Sequence, residues 1–462
     1  MTEARAALEQ LWTHAGGDPT VLERSDLTGG DPVLPTDFKI GTAASTVIAA
    51  TALAATELWR LRTGRGQSVS VDVRAAVAAF RSERYLRVDG QVPPDPRGEI
   101  FGFYRTADGR FIQLHGALPH HRDGIVGLLG CESTRAAAGT AVQGWKAEEL
   151  ETALAGIRMP AVMVRSRAEW QAHAQGRAVA ALPLLEIVRI GDSRPEPAGD
   201  GGRPLSGIRA LDLTRVIAGP VCGRTLASYG AEVLLITSPH LPSMPRLVMD
   251  TGQGKLSATL DLRRAGDAER LRDLVRRADV FCQSYRPGAL AAQGFSPEDV
   301  ARLRPGIVYV TLSAYGHTGP WRERRGFETL IQSASGMAQE QGQVAGLDQP
   351  AHLPAQVVDH GTGYLAAFGA LVALARRTHE GGSFLVRVSL AQTGRWVDAL
   401  GRVDGRRTPE LTLEAVEDLL ADSDTPFGRL RHVVPAARLS ETPAFWSRPA
   451  VPLGTHAAAW PA

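Results

Sequence analysis

The hydrophobic pattern changes character along the chain. Residues 43–62, AASTVIAATALAATELWRLR, are apolar or small at nearly every position, which predicts a helix covered on all sides and ended by Thr63-Gly64-Arg65-Gly66. The next stretch, SVSVDV, alternates and predicts a strand with Val69, Val71 and Val73 on one face. Prolines mark residues 91–98 as a linker. FGFYRTADGRFIQLHG predicts a hairpin turning at Asp108-Gly109, and KAEELETALAGI predicts a helix. From residue 205 short apolar runs alternate with amphipathic stretches: ALDL, a helix from Cys222, VLLI, a helix over 267–278, VFCQ and IVYVTLSAYG. That rhythm predicts a parallel sheet with helices on both faces. The βαβ unit at its start lacks the G-x-G-x-x-G turn that seats a dinucleotide pyrophosphate. Residues 401–462 hold one short helix, TLEAVEDLLA, and then proline-rich text expected to be irregular.

One pattern occurs twice. Residues 366–390 repeat the order helix, glycine turn, alternating strand, and a shift of 317 positions (60 to 377, 64 to 381) aligns the two stretches. Val386, Val388 and Leu390 then fall on Val69, Val71 and Val73 without a gap, which predicts an internal duplication. The polar stretch 191–204 is the strongest candidate boundary. The expected division is N-terminal helices and first repeat over 1–90, a small domain over 91–200, a large domain over 201–400 and a tail over 401–462.

Composition narrows the function classes. With 51 basic and 49 acidic side chains, nothing points to nucleic acid or an anionic membrane as partner. Hydrophobic residues at 44% and charged residues at 22% fit a soluble globular protein. Cys131, Cys222 and Cys282 form no CxxC pair, so structural zinc and a disulfide framework are not expected and a reducing cytoplasm is. MTEARAALEQLW does not read as a signal peptide, and the apolar run 43–55 is too short to span a bilayer. His115, His120 and His121 lack an acidic companion at helical spacing, so they read as a surface loop and not a metal site.

LDLTRVIAGPVCGRTLASYGAEVLLI, GKLSATLDL, ADVFCQSYRPGALAAQGF, IVYVTLSAYGHTGPW, GFETLIQSASGM and VVDHGTGYLAAFGALVAL together resemble the class III CoA-transferases, the family of formyl-CoA:oxalate and carnitine CoA-transferases and α-methylacyl-CoA racemases. TGRGQSVSVDV, YRTADGRFIQL and MPAVMVRSRAEWQAHAQGRA resemble the same family's small domain and its linker, here placed before the large domain. The resemblance implies a Rossmann-like large domain, a smaller α+β domain and a permuted or fused order. It further implies transfer of CoA from an acyl-CoA to a carboxylic acid, with CoA as substrate, no permanently bound cofactor, and a homodimer. In such a dimer the helix over 43–62 would pack beside the one over 363–377.

The resemblance makes Asp359, in V-V-D-H-G-T-G, the nucleophile. A carboxylate at a helix head can form a mixed anhydride and then an acyl-thioester, although an aspartate there is also an ordinary cap. In the first copy Thr42 stands at the equivalent position, and Asp37 nearby reads as a cap or turn residue, so one site per chain is expected. By the same resemblance Val216, Ile217 and Ala218 line the nucleotide and pantetheine, Arg246 and Lys255 lie near phosphate, and Tyr285 and Tyr315 lie along the CoA path. No His-Asp dipeptide precedes Asp359; His317 and His360 read as solvated loop residues, so transfer is favoured over racemisation. Two rival readings are a CoA-binding homologue without turnover, suggested by the few basic positions and the short loop with Gly98 and Gly102, and a nicotinamide-dependent oxidoreductase, which the missing glycine fingerprint disfavours.

Overall fold

The structure is a computed structural model describing residues 2–95 and 97–461; Met1, Ala462 and Pro96 of the proline linker lie outside them. At its centre two 24-residue helices, Ile40–Thr63 and Val357–Glu380, pack on one another. Both are buried along almost their whole length, and the Thr51 hydroxyl of one donates to the Tyr364 carbonyl oxygen of the other at 3.1 Å. Small side chains make this possible, because alanine-rich surfaces let helix axes approach closely. Each helix is long and apolar enough to cross a membrane, with mean hydropathy 1.2 and 1.3, and each is buried inside the protein. The two helices expected to pack beside one another do so within the single chain.

The duplication is visible element by element. Both helix boundaries shift by 317 positions, 40 to 357 and 63 to 380. The strands that follow, Val69–Asp72 and Ser383–Ser389, end on positions related by that shift, and the next helices begin at Val73 and Leu390. Caps repeat as well: Asp72 accepts from the Ala75 N–H and Ser389 from the Gln392 N–H. At the long helices, Asp31 accepts from the N–H groups of Gly41 and Thr42, and Glu328 from those of Val358 and Asp359. Neighbouring strands obey the same rule. Val69–Asp72 lies between a parallel strand, Ser25–Thr28, and an antiparallel one, Ala437–Leu439. Ser383–Ser389 lies between parallel Val308–Ser313 and antiparallel Glu186–Gly191.

The second copy continues into a full sheet. Its order is Lys255–Thr259, Glu232–Thr237, Arg209–Leu213, Val280–Gln283, Val308–Ser313 and Ser383–Ser389, all parallel, with Glu186–Gly191 antiparallel at the edge. Chain order reverses between Arg209–Leu213 and Val280–Gln283, and the crevice beyond the carboxyl ends of such strands is where doubly wound sheets bind ligands.

A small domain has its own core of Ile100, Tyr104, Ile112, Leu114, Ile125, Leu150 and Leu154. Its antiparallel sheet, Gly102–Arg105, Phe111–Leu114 and Ala161–Met163, includes the expected hairpin. Two expectations are corrected. The boundary at 191–204 falls too late for the small domain, because Glu186–Gly191 already belongs to the large sheet, where its backbone pairs with Ser383–Ser389. The tail is ordered: Leu420–Thr425 and Gly428–Val433 form a hairpin, Ala437–Leu439 joins the first copy's sheet, and Trp460 is buried against the large domain. These strands pair with distant residues, which short-range patterns do not reveal.

Gly363 sets the distance between Val357–Glu380 and the helix Ala218–Ser228. A Cβ there would lie 2.4 Å from the Ala218 carbonyl oxygen and 2.7 Å from Val221 Cβ. Gly363→Ala is expected to destabilise the protein by about 1–3 kcal/mol through overpacking. Denaturant unfolding checks it, and an unchanged midpoint would mean that the two helices can separate freely.

Candidate active site

The crevice at the sheet's switch point is a cavity of about 320 Å³. The loop after Arg209–Leu213 supplies Arg215, Val216, Ile217 and Ala218; the loop after Val280–Gln283 supplies Ser284, Tyr285 and Arg286. The small domain closes one side with Leu118, His120 and His121, and the segment leading to Glu328–Ser335 adds Arg324, Arg325 and Phe327. Asp359 reaches the cavity from the first turn of its helix. Val216 has φ +74°, which for a β-branched residue costs about 1–3 kcal/mol and persists only where the surroundings hold it.

Lys255 and Asp212 hold that turn from behind. Lys255 Nζ lies 2.7 Å from Asp212 Oδ2 and 2.7 Å from the Pro220 carbonyl oxygen, and both side chains are almost wholly buried. Asp212 Oδ1 accepts from the Thr214 N–H. Lys255, expected near phosphate, is therefore a buried support of the loop and not a cavity cation. Arg246 is also elsewhere, donating Nε and Nη2 to the Glu83 carbonyl oxygen at 2.9 and 2.6 Å. Tyr315 lies beneath the cavity, packed edge-on against Trp321 at 5.1 Å, and does not line it. Val216, Ile217, Ala218, Tyr285 and Asp359 are brought together.

The cations that do face the cavity were not singled out by sequence. Arg215, Arg286 and Arg325 pair with no carboxylate among the described residues; Arg215 donates to the Pro242 carbonyl oxygen, and Arg325 Nη1 is buried without a partner. Burial, then Arg286 and Arg158, pull the Arg325 guanidinium below its usual range. The run R-E-R-R-G before Phe327 was the available signal.

Around Asp359 the carboxylates are crowded. Its N–H donates to Glu328 Oε2 at 2.9 Å, and the Val358 N–H to Oε1 at 3.1 Å. Burial, then Asp359, push Glu328 well above the carboxylate range. Burial, then Glu83, push Asp359 up to about 7. Glu83 is held low: burial opposes its charge, but the hydrogen bond and charge of His360 outweigh it, with Nε2 at 3.2 Å from Glu83 Oε2. His360 is thus a fully buried partner of Glu83, stacked on Phe80, and not the solvated loop residue expected. Asp359 sits in the first turn of its helix, at the helix head expected.

The histidine expectation also changes. His115 is buried and stacked on Phe327 at 3.8 Å, and His121 is buried beside it; burial pushes both down to about 3, so both rings are neutral at physiological pH. His317 is partly exposed, 3.8 Å from Glu186.

The sequence profile of CoA-transferase family III matches residues 13–194 and 205–400. The chain belongs to CoA-transferase family III. An acetyl-coenzyme A transferase, nodX, of Hypoxylon pulicicidum is 32% identical over 67% of this chain and 56% of its own. Succinyl-CoA:glutarate CoA-transferase of Mus musculus is 30% identical over 43% of this chain and 48% of its own. Among solved structures, Rv3272 of Mycobacterium tuberculosis is 29% identical over 43% of this chain and 58% of its own, with a TM-score of 0.39. The chain spans about half the length of the curated relatives it matches.

Lys255→Met is expected to leave Asp212 buried without a counter-ion and to cost about 3–5 kcal/mol. Chemical unfolding measures it. Unchanged stability with binding lost for CoA but kept for dephospho-CoA would return Lys255 to the phosphate.

Proposed function

We propose that the protein moves CoA from an acyl-CoA to a carboxylic acid, with Asp359 as the attacking carboxylate. The observation that carries this reading is Asp359 at a helix head, inside a switch-point cavity lined by three arginines without carboxylate partners. Those arginines suit phosphates, which guanidinium groups hold through paired charge-assisted hydrogen bonds. The strained Val216 turn and Tyr285 suit the pantetheine arm.

In this reading an Asp359 oxygen attacks the thioester carbonyl carbon, the C–S bond breaks and CoA leaves as thiolate, giving a mixed anhydride on the enzyme. The thiolate attacks the Asp359 acyl carbon and releases the first carboxylate, which leaves a thioester of Asp359 with CoA. The acceptor carboxylate attacks that thioester and its C–S bond breaks, giving a second mixed anhydride and free thiolate. The thiolate attacks the acceptor's acyl carbon, forming the product thioester and releasing the Asp359 carboxylate. Each step exchanges one activated acyl group for another of similar energy, which a carboxylate permits and a hydroxyl, with its stable ester, does not. Burial of Asp359 and closure by the small domain protect the anhydride from water.

Asp359→Ala is expected to reduce transfer to below a few per cent while CoA binding persists, measured by thermal shift with CoA and by trapping of an enzyme-bound acyl group with hydroxylamine. Substantial transfer by the variant would remove the nucleophile assignment. Attack needs the ionised carboxylate. Because Asp359 is pushed up to about 7, the rate should rise with pH through that value and fall below it.

A reducing cytoplasm is the compartment we propose, supported by three unpaired cysteines. The homodimer is a separate proposal, because the helix pair is made within one chain. Light scattering at micromolar concentration should give twice 49.3 kDa, and an active single chain would overturn it.

A further inference from the structure

After the first copy's short helix, Val73–Ala79, the chain forms one more helical turn, Ser82–Tyr85, at the head of the second copy's long helix. Two elements of the large domain grip it. Arg246, in the helix Pro245–Thr251, donates twice to the Glu83 carbonyl oxygen. The Ser82 hydroxyl donates to Asp250 Oδ2 at 2.8 Å, and Asp250 pairs with Arg224 at 3.1 Å. Clamped in this way, Glu83 turns its carboxylate inward to His360, the residue after Asp359, and Phe80 stacks on the far side of that imidazole at 5.6 Å.

We propose that Glu83, contributed by the first copy, is a positioning residue that sets the charge state of Asp359 in the second, so that the two copies share one site. This rests on the reading of Asp359 as the attacking carboxylate. Glu328 from Glu328–Ser335 accepts from the Asp359 N–H, and Glu83 from Ser82–Tyr85 bonds to His360 next to Asp359, with Arg84 3.8 Å from Glu83. Arg215, Arg286, Arg324, Arg325 and His121 line the same cavity as Asp359. Burial pushes Glu328 well up while the His360 bond holds Glu83 low, so Glu83 gives up its proton before Glu328 does. A negative neighbour disfavours ionisation of Asp359 and makes the carboxylate, once formed, a stronger base and nucleophile. The Arg246 clamp then has a purpose beyond packing: it fixes the backbone turn that carries Glu83, while the His360 bond orients the carboxylate.

Glu83→Gln keeps the shape and removes the charge. The acid limb of the rate–pH profile is expected to fall by about 1 unit, with KM for acyl-CoA changed less than about twofold. The carbon-13 signal of the Asp359 carboxyl, identified by its loss in Asp359→Asn, should titrate lower by the same amount in the ligand-free protein. Glu83→Asp withdraws the charge by one methylene and should give a smaller shift of the same sign, which keeps the test usable if the glutamine variant does not fold. An unmoved Asp359 titration in a folded variant overturns the proposal, as does a loss of rate that is equal at every pH. If the carbon-13 midpoint falls while the rate profile stays, Glu83 acts on Asp359 as proposed, and it is the nucleophile reading that fails.

Discussion

The contact between Ile40–Thr63 and Val357–Glu380 is the constraint on which the other elements depend. Neither helix has a polar face wide enough to meet water, so each must be covered on all sides. Each covers one side of the other. The remaining sides are taken by the helices Ala218–Ser228, Glu3–His14, Val73–Ala79 and Leu390–Ala399 and by the strands of each copy's sheet. Because the two helices are copies, each brings the same strand and the same capped head, and the arrangement around them repeats. The copies differ in what lies past the strand. The first is finished by two short neighbours, whereas the second runs on into a seven-stranded sheet with a switch point.

That difference places two buried carboxylates at one helix head. At the first, Asp31 accepts the amides of Gly41 and Thr42, and no second carboxylate follows. At the second, Glu328 takes the same two amides and Asp359 stands where Thr42 does. Two buried carboxylates at one helix terminus cannot both ionise cheaply, so the site holds protons that an ordinary cap would release.

The parts written in local periodicity were legible in sequence: the parallel strands, the hairpin at Asp108-Gly109 and the duplication, whose spacing holds to the residue. Val216, Ile217, Ala218 and Tyr285 could be placed because they lie in the loops after two neighbouring strands, and Asp359 because its motif heads a helix. What sequence did not show depends on contacts between distant segments. Lys255 sits in a basic-looking strand entry, yet Asp212, on the strand two positions away across the sheet, captures it. Glu83 lies in an undistinguished S-E-R-Y turn and acquires a role only because the first copy folds against the second. His115 and His121 looked like loop residues because their partner, Phe327, is some two hundred positions away.

A crystal structure with CoA bound would test the account most directly. A second, smaller cavity of about 170 Å³ opens beside the first, lined by Gln283, Thr311, His317 and Arg387, and shares Arg286 with it. The account places the CoA sulfur in the larger cavity, within hydrogen-bonding reach of the Asp359 carboxyl, with phosphates on Arg215, Arg286 or Arg325. A CoA molecule whose sulfur ends in the smaller cavity, with Asp359 untouched, would contradict it.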